Sequence, residues 1–106
     1  MTDARQPRFN PGAAARDLRR SLDELIRLGS QGRATPGSPR AKSIGRLTRT
    51  VLEQYRALRE EGRFKGWEQE LDKTRVAEPV RFAALALKGD LAAARRLRGV
   101  LDRALP

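Results

Sequence analysis

The sequence predicts an all-α protein: a small bundle of four to five helices, with an N-terminal helix joined to it by a flexible basic linker. Three observations carry that prediction. Apolar residues recur at three- and four-residue spacing through most of the chain, and no segment shows the strict alternation of a half-buried strand. Between the periodic segments stand turn signals, at Gly29 to Ser38, Gly62, Glu78-Pro79 and Gly89-Asp90. A chain of 106 residues can form one small domain that buries about two-thirds of the surface its unfolded form exposes.

Residues 1–10 are polar and proline-interrupted, which predicts a frayed tail. Asn10-Pro11 then reads as a helix start, an N-cap acceptor followed by a proline whose missing N–H costs nothing at the first helical position. The helix expected over 11–28 has Ala14, Leu18, Leu22, Leu25 and Ile26 on one face, with Gly29 as a left-handed cap. Its charges can pair within the helix: Arg19 with Asp23, Arg20 with Glu24, and Asp23 with Arg27.

Residues 29–38 have the composition of a flexible linker, and 39–105 form the expected bundle. The first helix must bury its leucines either across the linker on this bundle or on a partner. Ser38-Pro39 repeats the cap-plus-proline signature and opens a helix running to Glu61, with an apolar seam of Ile44, Leu47, Val51, Tyr55 and Leu58. The third helix is expected over Phe64 to Val76, with Phe64, Trp67 and Leu71 sharing a core face. The fourth, Val80 to Lys88, is apolar all round and is expected to be central and buried. Asp90 caps a fifth, Leu91 to Leu105, which turns Leu91, Ala94, Leu97, Leu101 and Leu105 inward and Arg95, Arg96 and Arg103 outward.

Composition narrows the functions. With no cysteine and no histidine, the chain has no disulfide, none of the usual zinc sites and no Ser/His/Asp triad or Cys/His pair. No apolar run approaches a membrane span and no signal-peptide core precedes the first helix, so a cytoplasmic protein with no membrane partner is expected. Phosphate-binding glycine loops are missing, and an apolar helix stands where a helix-turn-helix would need its recognition helix. Glu68 and Asp72 could exchange protons but have no converging partner, so neither an enzyme nor a cofactor nor a small-molecule substrate is expected.

Net charge is +10, and its placement points to a polyanion. Arginine outnumbers lysine 19 to 4, which a GC-rich coding sequence also produces, so position matters more than total. Between Glu24 and Glu53 there is no acid, while Arg33, Arg40, Lys42, Arg46 and Arg49 lead into the second helix from its positive dipole end. Glu60 and Glu61 close the same helix at its negative end. These five cations are therefore the first expected nucleic-acid contact, with Arg63 and Lys65 beside Phe64 and Trp67 a second, and Arg95, Arg96 and Arg103 a third. The alternative is a protein-interaction module or a subunit of a homodimer or larger assembly, docking through Leu18, Leu22 and Leu25.

Overall fold

A computed structural model describes residues 10–105, and the tail expected over 1–10 lies outside them except for Asn10. The described residues form five helices and no strand: α1 (Pro11–Gly29), α2 (Pro39–Glu60), α3 (Glu68–Thr74), α4 (Pro79–Leu87) and α5 (Ala92–Ala104). None of them is long and apolar enough to cross a membrane.

Local chemistry sets most of the boundaries. Asn10 is extended and its Oδ1 accepts from the Ala13 N–H at 3.1 Å, and Ser38 Oγ does the same for Ala41 at 3.1 Å. Both long helices then begin on proline. At the other end of α2, Gly62 turns left-handed (φ 72°), its N–H reaching Arg59 O and that of Arg63 reaching Leu58 O. Gly89 ends α4 in the same way, with its own N–H on Ala86 O and that of Asp90 on Leu85 O. Paired bonds of this kind satisfy carbonyls that a helix end leaves open.

α1 is the helix the core is built around. Leu18, Leu22 and Leu25 are fully buried, and α1 packs on α2, α5 and α4. They join Ile44, Val51, Tyr55, Phe64, Phe82, Leu97 and others in one hydrophobic cluster. The partner-docking role expected for Leu18, Leu22 and Leu25 is therefore wrong: their surface is spent inside their own fold.

The expectation for α4 is also overturned. Only Phe82 and Ala86 are buried, while Val80 is 83 % exposed and Ala84 is exposed. Three of its nine residues, Ala83, Ala84 and Ala86, are alanines, which raise apolar count while adding little area that needs cover. The central place assigned to α4 belongs to α1, which packs on three other helices while Arg16, Asp17, Arg19, Arg20, Asp23 and Arg27 stay exposed.

Residues 30–38 are a fastened loop rather than a flexible linker. Ala34 is buried and donates its N–H to Leu87 O at 2.9 Å. Arg40, in the first turn of α2, reaches back with Nη1 to Leu28 O at 2.7 Å and Gly32 O at 3.0 Å, and with Nη2 to Arg33 O at 2.9 Å. α1 and α2 thus make an antiparallel hairpin, and a cation at the positive end of one helix lies at the negative end of the other. Arg40→Ala is expected to lower stability by about 1.5–3 kcal/mol in urea unfolding, the range for hydrogen bonds to a charged group. Arg40→Lys should recover only part, because an ammonium lacks the planar fork that serves three carbonyls.

α5 runs antiparallel to α1 and takes over its charges. Arg19 pairs with Asp102 at 3.6 Å and Asp23 with Arg98 at 2.5 Å, in place of the expected Arg19–Asp23 pair within α1. Glu24 does pair with Arg27, three residues on, and that hydrogen-bonded contact holds the Glu24 carboxyl below its ordinary range. Gly29 is the last helical residue and not a left-handed cap; its missing side chain admits Leu91, whose Cδ2 would stand 2.5 Å from a Cβ there.

Candidate nucleic-acid interface

The third of the expected cationic clusters is gathered along one groove. α5 buries Ala94, Leu97, Val100 and Leu101. That leaves Arg95, Arg96 and Arg103 on its solvent face, where α3 lies alongside. Between the two helices is a shallow groove of about 550 Å³ lined by Lys73, Arg95, Arg96 and Arg103, with Glu70 the one acid on its walls. Lys73 Nζ is 3.3 Å from Glu70 Oε1. Arg103 lies over the Trp67 ring, 5.4 Å from its centroid, which fixes one arginine by a contact worth about 0.5–1 kcal/mol at an exposed site.

The floor of the groove carries Gly99. A Cβ there would meet nothing within 4 Å, so the fold has no packing reason for glycine at a mid-helix position where alanine would favour the helix by about 1 kcal/mol. What the missing side chain does provide is access to the α5 backbone between Arg95 and Arg96 on one side and Arg103 on the other.

The second cluster is split by its surroundings. Arg63 and Lys65 are exposed in the turn between α2 and α3 and do not line the groove. Gly66 turns left-handed (φ 91°) and gives its N–H to the Glu68 carboxylate at 3.0 and 3.1 Å, so α3 begins at Glu68 and not at Phe64. The Glu68 and Gly66 amides, and then the charges of Arg59 and Lys65, keep the Glu68 carboxyl below its usual range. A standing negative charge thus offsets Lys65. Phe64 is a core side chain with its ring 5.8 Å from that of Tyr55, and Trp67 is half-buried beneath Arg103.

No match is found among protein-family models, characterised proteins or solved structures.

The first cluster is dispersed. Arg40 is taken up by carbonyls, which corrects its assignment to phosphate and relieves part of the dipole conflict; Lys42 still stands in the first turn of α2, while Arg46 and Arg49 lie beyond it. Arg46 Nη2 reaches Ser43 Oγ at 3.1 Å. Arg33 and Lys42 border a depression shared with α4, and Arg49 borders a neighbouring one. Sequence reasoning missed Lys73 and Gly99. Lys73 had no signal linking it to α5, but a glycine inside an arginine-rich helix was visible as a departure from helix propensity.

Proposed function

We propose that this chain binds nucleic acid, DNA or RNA, through its phosphate backbone and without catalysis, using the groove between α3 and α5. The convergence of Lys73, Arg95, Arg96 and Arg103 from two helices around the open floor at Gly99 carries this reading. Along α5 the arginines span about 12 Å, or roughly three nucleotide steps of one duplex strand at ~3.4 Å each. Contacts from such side chains fix position and orientation but read no bases, so little sequence preference is expected. The same reading takes the cytoplasm as the place of action.

Fluorescence anisotropy of the whole protein with labelled duplex and single-stranded oligonucleotides, across a salt series, tests it. Four phosphate contacts give an expected slope of log affinity against log salt of about −3.6 on duplex DNA and about −2.8 on single strands. Arg96→Ala should make the duplex slope shallower by about 0.9. A flat salt response would remove the proposal.

A further inference from the structure

A second surface, formed by α4 and the first half of α2, shares no residue with the α3–α5 groove. Val80 is the one large apolar side chain that stands exposed among the described residues. Val80, Ala83, Ala84 and Leu87 follow helical i, i+3, i+4, i+7 spacing and make a continuous apolar stripe, with Val80 and Ala84 exposed, Ala83 half-buried and Leu87 half-buried against the core. Along the seam with α2 this stripe forms one wall of two adjoining depressions of about 450 and 520 Å³, with Ala84 and Leu87 common to both.

Two features say what fits there. The rim is cationic: Arg49 borders one depression, and Arg33, Lys42 and Lys88 border the other. Arg81 stands on the flank of α4, and Glu78 is the acid at its start. On the α2 wall, Gly45 occupies a mid-helix position where a Cβ would touch nothing within 4 Å. Its cost to helix propensity has no return inside the fold, and it deepens the seam.

We infer that this seam docks an amphipathic helix of a partner protein, with its apolar stripe on Val80, Ala84 and Leu87 and its flanking Asp and Glu side chains on Lys42, Arg49 and Lys88. Helix-in-groove recognition uses this combination of apolar anchors and charged margins. Nucleic acid would leave the apolar stripe uncovered. A two-fold dimer through this face would set Lys42, Arg49 and Lys88 against like charges. A membrane favours bulky protruding side chains, whereas here Val80 alone protrudes from a concave seam. The inference stands independently of the nucleic-acid reading.

Selection of a displayed random peptide library, about 15 residues or four helical turns long, against the whole protein tests it. The expected winners carry Asp or Glu beside an apolar i, i+3, i+4, i+7 stripe. A synthetic winner should shift backbone amide NMR signals along Val80 to Lys88 and Lys42 to Leu52. Val80→Asp, at an exposed position, should weaken the winner about tenfold or more, and Arg49→Glu severalfold. Gly45→Leu fills the seam while favouring the helix, so it should raise the melting temperature and block the peptide. Winners without acids, indifference to Val80→Asp and Gly45→Leu, or shifts elsewhere would each overturn the inference. So would vesicles of phosphatidylglycerol and phosphatidylcholine, or rising protein concentration alone, shifting the same signals.

Discussion

Leu22→Ala is expected to destabilise the protein by about 3–5 kcal/mol, the upper part of the range for truncating a buried leucine. Leu22 is fully buried between Leu18 and Leu25 on the helix that packs against three others, so the cavity is enclosed from several sides and can collapse little. A domain of this size is stable by roughly 5–15 kcal/mol in all, so this loss takes from about a fifth of the total to all of it. Urea unfolding followed by circular dichroism reads it as a lower midpoint with an unchanged slope. An α1 that was only tethered to the remaining helices would show a cost near zero, together with a smaller denaturant slope than a single cooperative unit.

Reversing the three groove arginines together, Arg95→Glu, Arg96→Glu and Arg103→Glu, is expected to lower affinity for duplex DNA by at least two to three powers of ten near 0.1 M salt. That figure follows from losing three of four phosphate contacts at about 0.9 each in the salt slope, extrapolated to ~1 M, where the electrostatic part vanishes. Repulsion from the introduced carboxylates adds to it. Folding should be nearly unaffected, because the three side chains are exposed; their described contacts are the Trp67 ring under Arg103 and Ser30 Oγ at 3.4 Å from Arg95. A control pair, Arg46→Glu with Arg49→Glu, sits away from the groove and should cost far less. Equal losses from the two variants would indicate a general attraction of the whole charged surface rather than a site.

Local rules carried the helix boundaries. An Asn-Pro and a Ser-Pro dipeptide marked both long helices, and Gly62 and Gly89 marked two ends, because capping is decided within a few residues. What the sequence could not convey depends on which helix lies beside which. Arg40 looked adverse on α2 because the carbonyl end of α1 that receives it is twelve residues back. Arg19 and Asp23 looked self-paired because nothing in the chain says α5 runs beside α1. Gly29 misled for a related reason: a left-handed cap and a close helix approach both call for glycine, and only the position of Leu91 separates them. The α4 stripe was misread through counting, since alanines score as apolar without demanding burial. Of the candidate site, the three α5 arginines could be read from helical spacing, whereas the α3 wall and its Lys73 could not.

The most direct measurement of phosphate binding between α3 and α5 is two-dimensional amide NMR of the full chain titrated with a short DNA duplex at low salt. The expected result is perturbation concentrated at Arg95 to Arg103 and around Lys73, reversed by added salt. Perturbation confined to α2 and α4, or none at all, would contradict it.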